Sequence, residues 1–285
     1  MFWFENGVER RLTTLNDGFR QDATLAEPQR FTIEHEGVEV EGWVYLPPGE
    51  TPCPVLFNIH GGPATQYGYG FFDEFQVYAG AGYGVIGINP RGSSGYGSDH
   101  VRAVVGVWQE ENPPDLRDLV AAPAAAAAVA PRLDLERMGV MGGSYGGMMT
   151  VRLAAVDHRY KSAVAERGLY SWLSFGGTSD IGPWFDRLHL ETQLPAAADL
   201  LWQASSLAYA HRVVAPTLIV HSEGDYRCPI EQAEQLYVLL RRVGIVTEMV
   251  RFPADEGHEL SRGGKPKHRK ERFEIILDWH DRYLE

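Results

Sequence analysis

Three residues, widely spaced along a 285-residue chain, carry the side chains that an acyl-transfer site needs: Ser144, Asp225 and His258. A serine hydroxyl is a weak nucleophile at neutral pH until a base takes its proton. An imidazole does this well when a carboxylate fixes its tautomer and stabilises the imidazolium that forms. Ser144 sits in Gly142-Gly-Ser-Tyr-Gly146, between the apolar run Met138–Gly142 and the apolar-periodic stretch Tyr145–Val156. That Gly-x-Ser-x-Gly context predicts a sharp strand–turn–helix bend, with the hydroxyl projecting over a sheet edge and a helix N-terminus beneath it. Gly142 and Gly146 are expected because a side chain at either position would strike a neighbouring element. The same pattern alone is also compatible with a glycine-rich turn; the flanking strand and helix argue for the chemical reading.

The acid and base follow the serine in chain order. Asp225 lies in His221-Ser-Glu-Gly-Asp-Tyr-Arg227, just after the strand signal Thr217–His221, and His258 lies just after the strand signal Val246–Phe252. Loops at the C-terminal ends of parallel strands are where ligand sites gather. Asp255 and Glu256 compete for the acid's role, but side chains so close to the histidine on one loop rarely reach its far ring nitrogen. His221 reads as a structural hydrogen-bonding residue. The run Asn58-Ile-His-Gly-Gly-Pro63 ends another strand, and glycines there free backbone N–H groups to face the site. Gly62 N–H and Tyr145 N–H are the expected oxyanion donors, with His60 bracing the loop.

Positioning such groups requires a sheet. Phe31–His35 and Val38–Leu46 read as two antiparallel strands. From Pro54 onward, short apolar runs bounded by Gly or Pro alternate with helical stretches, which predicts parallel strands with crossover helices. The strand candidates are Val55–His60, Val85–Asn89, Met138–Gly142, Ala163–Ala165, Thr217–His221 and Val246–Phe252. The helix candidates lie around Asp73–Ala81, Asp115–Val129, Tyr145–Val156, Ile230–Val243 and Pro266–Tyr283. The fold class expected is α/β, an α/β-hydrolase fold with a mostly parallel central sheet flanked by helices and antiparallel N-terminal edge strands. Residues 1–30 form an extension in which Phe2-Trp3-Phe4 ends a strand without evident partners and Arg11 to Pro28 is a polar connector. Residues 31–285 form the catalytic domain, with an irregular insertion at 169–209. In that insertion Trp172, Phe175, Trp184 and Phe185 either line an apolar acyl pocket or belong to the core.

Composition limits the alternatives. A formal net charge of −12 argues against nucleic acid, which is bound by clustered Lys and Arg. The one basic run, Arg262 to Arg272, is broken by Gly, Pro and Glu and reads as the solvated entry to a helix. Two cysteines, Cys53 and Cys228, make neither a disulfide framework nor a zinc-ligand pattern, so no metal or organic cofactor and a reduced, cytoplasmic setting are expected. The start resembles no signal peptide, and no apolar run is long enough to cross a bilayer.

Taken together, Phe57-Asn-Ile-His-Gly-Gly-Pro63, Asn89-Pro-Arg-Gly-Ser-Ser-Gly-Tyr-Gly97, Gly139-Val-Met-Gly-Gly-Ser-Tyr-Gly-Gly147 and His221-Ser-Glu-Gly-Asp-Tyr-Arg-Cys-Pro229 resemble the catalytic domain of the prolyl oligopeptidase family, in particular its acylaminoacyl-peptidase branch. The resemblance runs from about Arg10 to the C-terminus. It implies a serine peptidase or esterase acting on short peptides, acylated amino acids or small esters, with the same triad and the same Gly62 and Tyr145 donors. It adds Arg227, two positions after the acid, as a residue that binds a substrate carbonyl; the alternative is a surface ion pair. Members of the family usually carry a capping β-propeller before this domain, and Met1–Thr13 resembles its last strand and exit, so an open, less length-selective site is expected.

Other departures are the segment Val107–Pro114, a loop Pro253–His258 one residue longer than usual, and Pro123, which sits where a regular helix is expected at a cost of ~3 kcal/mol. The competing readings are a dedicated carboxylesterase, lactonase or amidase, and a non-catalytic binding module on the same fold. The unpartnered Phe2, Trp3 and Phe4 suggest burial in a contact between copies of the chain.

Overall fold

The computed structural model describes all residues from 1 to 285. Ten strands form: β1 (Phe2–Glu5), β2 (Val8–Arg11), β3 (Pro28–His35), β4 (Val38–Tyr45), β5 (Cys53–Ile59), β6 (Gly84–Ile88), β7 (Leu133–Gly143), β8 (Tyr160–Glu166), β9 (Thr217–Ser222) and β10 (Thr247–Phe252). Eight of them make one sheet in the order β10-β9-β8-β7-β5-β6-β4-β3. Strands β5 to β10 run parallel, while β4 joins β6 and β3 joins β4 antiparallel. The parallel strands read as unbroken apolar runs because both their faces are covered: every residue of β6 and β9 is buried.

Alternation along each strand divides the core. Val55, Phe57 and Ile59 of β5 face the helices Pro114–Val129, Tyr145–Val156 and Ile230–Arg242, whereas Leu56 faces the helices Asp73–Gly80 and Pro266–Leu284. Strand β6 lies on one side of β5 and β7 on the other, so the winding direction of the chain reverses at β5 and opens a crevice between the C-terminal ends of β5 and β7. Open α/β sheets bind their ligands at such a reversal.

Several sequence expectations need correction. Phe2–Glu5 does have a partner, β2, in an antiparallel hairpin pairing Phe2 with Arg11 and Glu5 with Val8. Phe2, Trp3 and Phe4 nevertheless remain 59%, 56% and 72% exposed. The polar connector contains a short helix, Asp17–Asp22, and β3 already begins at Pro28. β7 starts five residues before Met138, with a register shift at Met138/Gly139, and β8 runs from Tyr160 rather than Ala163. The helix Pro114–Val129 runs through Pro123 without ending. Residues 169–209 are largely ordered into the helices Trp172–Thr178, Gly182–Leu190 and Ala198–Ala204. Finally, the basic run is not solvated throughout: Arg272 is fully buried, with Nε 2.5 Å from Glu166 and Nη2 3.1 Å from Glu74.

Candidate active site

The bend after β7 holds Ser144 at φ 64°, ψ −122°, a region that residues other than Gly occupy only when the surroundings impose it. The imposing contacts are backbone on backbone. A Cβ on Gly146 would lie 2.1 Å from the Ile59 carbonyl oxygen, and one on Gly142 would lie 2.6 Å from the same atom. Only glycine allows the start of the helix to approach β5 so closely. The Ser144 N–H donates to the Glu166 carbonyl at 3.1 Å, tying the bend to β8 as well.

Register then brings the second loop to the serine. Ile59 pairs with Gly142, so Gly61 and Gly62 emerge beside the bend, and a Cβ on Gly61 would sit 3.4 Å from Ser144 Cβ. Tyr145 opens its helix, so its N–H has no intrahelical acceptor. Gly62, at φ 122°, lines the same cavity as Tyr145 and Ser144. His60 is held in the loop by Nδ1 against the Gly61 carbonyl at 2.6 Å and Nε2 against Ser93 Oγ at 2.9 Å. Burial pushes its imidazole down to about 4, so it is neutral at ordinary pH.

On the other flank, β9 and β10 deliver the acid and the histidine from adjacent loops. Asp225 is buried, and its Oδ2 accepts from His258 Nδ1 at 2.7 Å. Its Oδ1 accepts the backbone N–H groups of Arg227 and Cys228, each at 2.9 Å. Both carboxylate oxygens are thereby fixed, and with Nδ1 engaged the imidazole has Nε2 left for a further partner. The competing acids are engaged elsewhere. Asp255 pairs with Lys265, while Glu256 takes His268 Nδ1 at 2.6 Å and the Lys265 N–H at 3.0 Å. His221 donates from Nε2 to the Cys228 carbonyl at 2.7 Å, a structural bond.

Ser144 and His258 line one cavity of 640 Å³. The hydroxyl makes no hydrogen bond to the imidazole; the Cys228 thiol, which burial pushes up, lines the same cavity. Catalytic hydrogen bonds often tighten only once substrate is bound.

Trp172, Phe175, Trp184 and Phe185 all line this cavity. Trp172 and Phe175 are at once wall and core, each 1% exposed, whereas Trp184 is 52% exposed at the mouth. Arg227 also lines the cavity, with its guanidinium forked onto Asp180 at 2.7 and 3.2 Å. It makes a half-exposed ion pair while still lining the cavity.

Sequence reading missed four contributors. Asp115 accepts the Tyr145 hydroxyl at 2.7 Å and Trp108 Nε1 at 2.8 Å, bracing the helix start from below. Cys228 lines the cavity with Ser144 and donates its backbone N–H to Asp225. Arg272 anchors Glu166. Arg167 follows β8, and its place at a strand's C-terminal end was the one signal that could have drawn attention to it.

A strained serine at a strand–helix bend, over the reversal point of a mostly parallel sheet, defines an α/β-hydrolase fold. A profile of the prolyl oligopeptidase family matches residues 69–285, and the chain belongs to that family. It is 44% identical over 280 residues to "Uncharacterized peptidase YuxL" of Bacillus subtilis, covering 97% of this chain and 42% of that protein. It is 30% identical over 239 residues to the acylamino-acid-releasing enzyme of Arabidopsis thaliana, covering 81% of this chain and 30% of that one. Among solved structures, the uncomplexed Pyrococcus horikoshii acylaminoacyl peptidase superposes with a TM-score of 0.91 at 34% identity, over 98% of this chain and 45% of that one. The chain thus spans less than half the length of these relatives. No helix is long and apolar enough to cross a membrane.

Proposed function

We propose that the chain is a serine hydrolase that cleaves short peptides, acylated amino acids or small esters through an acyl-enzyme on Ser144. His258 takes the hydroxyl proton as Ser144 attacks the carbonyl carbon and returns it to the leaving amine or alcohol; a water activated by the same imidazole then releases the acid. Asp225 holds the tautomer, and the N–H groups of Gly62 and Tyr145 receive the oxyanion. The observation that carries this reading is the 2.7 Å bond between buried Asp225 and His258, at the wall of the cavity that also exposes Ser144. Further support comes from a relative crystallised as "Acylaminoacyl peptidase in complex with Z-Gly-Gly-Phe-chloromethyl ketone", 33% identical to this chain.

The test is labelling with a fluorophosphonate probe, followed by turnover of an acyl-amino-acid anilide and a short-chain ester. An adduct on Ser144, absent in Ser144→Ala, is expected, with both substrates cleaved. An ester cleaved while the anilide is untouched would favour a dedicated esterase. No adduct on Ser144 would mean a binding module.

A further inference from the structure

Four arginines line the cavity: Arg167, Arg227, Arg262 and Arg272. Three make direct ion pairs. Arg227 pairs with Asp180, Arg262 with Glu259, and Arg272 with Glu166 and Glu74. Arg167 makes no ion pair. Its side chain donates from Nη2 to Ser261 Oγ at 2.9 Å, and its buried Nε has no partner.

The placement of Arg167 is as specific as that of the nucleophile. It follows β8 at φ 36°, a left-handed backbone imposed on a residue that rarely adopts it, and its N–H is tied to the Val220 carbonyl at 2.9 Å. A Cβ on Gly143 would lie 2.7 Å from the Arg167 Cζ and 2.8 Å from its terminal nitrogens. The guanidinium therefore rests against the residue directly before Ser144. Glu74 and Glu259 of the same cavity feel its charge, but no carboxylate is in contact with the guanidinium, and the fork with its unpartnered Nε, in the wall of a partly closed cavity, offers a position for an anion. The planar fork suits a carboxylate.

Which side of the scissile bond it serves follows from its neighbours. Trp172, Phe175 and Phe185 of the insertion make an apolar wall suited to an acyl group. Arg167 is held instead by Ser261, three residues after His258, the group that hands a proton to the leaving amine.

We propose that Arg167 determines specificity on the leaving-group side by binding the C-terminal carboxylate of a short peptide leaving group. When the acyl carbon–nitrogen bond breaks, the amine takes the proton from His258 while its distal carboxylate stays on Arg167. This inference rests on the serine-hydrolase reading above.

The experiment compares kcat/KM for an acylated dipeptide with a free C-terminal carboxylate against the otherwise identical C-terminal amide. The intact chain is expected to favour the acid by about tenfold, as one charge-assisted hydrogen-bonded pair gives. Arg167→Gln should bring the ratio close to one, and Arg167→Lys should retain part of it. A ratio of one in the unmutated protein overturns the proposal, and so does a Gln variant that slows both substrates equally, the mark of a merely structural residue. Fluorophosphonate labelling of the same samples reports Ser144 separately. Should Ser144 prove unreactive, calorimetric titration of Ser144→Ala with the leaving dipeptide and its amide decides the carboxylate site alone: tighter binding of the acid upholds it, and equal binding refutes it.

Discussion

His258 Nδ1 donates to Asp225 Oδ2 across 2.7 Å, and Asp225 is held from its other oxygen by two backbone N–H groups. The imidazole tautomer is thus set by a group that cannot rotate away. Asp225→Asn keeps the shape but offers an amide where an acceptor is needed. Its kcat on an ester should fall by ~10⁴ with the far-ultraviolet circular dichroism unchanged. A loss under tenfold would mean that Asp225 does not orient the base.

Trp172 and Trp184 separate pocket from core. Trp172 is 1% exposed and stacks on Phe185 at 5.8 Å, so Trp172→Ala should cost ~3–5 kcal/mol in denaturant unfolding. Trp184 is 52% exposed at the cavity mouth. Trp184→Ala should leave the unfolding midpoint nearly unchanged while lowering kcat/KM for an aromatic acyl substrate about tenfold, through ~1.4 kcal/mol of lost apolar contact.

The packing of the bend against β5 sets a third outcome. Gly146→Ala would bring a methyl group 2.1 Å from the Ile59 carbonyl, a backbone atom that cannot yield without moving β5. Destabilisation of ~1–3 kcal/mol is expected, with loss of Ser144 labelling even below the melting transition. Thermal unfolding and probe labelling of one sample check both.

Acid sensitivity comes from buried imidazoles. Burial pushes His60 and His189 down to about 4 and His280 to about 3. Because these folded values lie below the unfolded value of about 6.5, the unfolded chain binds more protons. Their contribution is therefore present above about pH 6.5 and is lost as the pH falls toward the folded values. Asp186, pushed up to about 6 by burial, holds a proton in the folded state over roughly pH 4–6 and opposes one of the three. His280 has neither ring nitrogen partnered. His280→Leu should flatten the slope of unfolding free energy near pH 5 by about 1.4 kcal/mol per pH unit, read from urea midpoints across pH.

The sheet was legible because buried parallel strands are written as short apolar runs, and the loops bearing Ser144, Asp225 and His258 could be placed from strand order. β2 was not legible: Val8-Glu-Arg-Arg11 is exposed throughout and has no buried face to impose alternation. Nor was the pairing of Arg272 with Glu166, 106 residues apart, because a charge written in a basic stretch carries no mark of burial. Arg167 was hidden for a related reason. Its significance lies in the partner it lacks, and local pattern cannot show that.

The torsion angles at Ser144 carry a consequence for the chain's history and handling. The Ser144 hydroxyl is presented only because the rest of the molecule keeps one residue in a posture it would leave if free, at a cost of about 1–3 kcal/mol. Glycine in that place would be relaxed. Drift toward an inert descendant therefore runs downhill in folding energy, and Ser144→Gly should outlast its parent on heating.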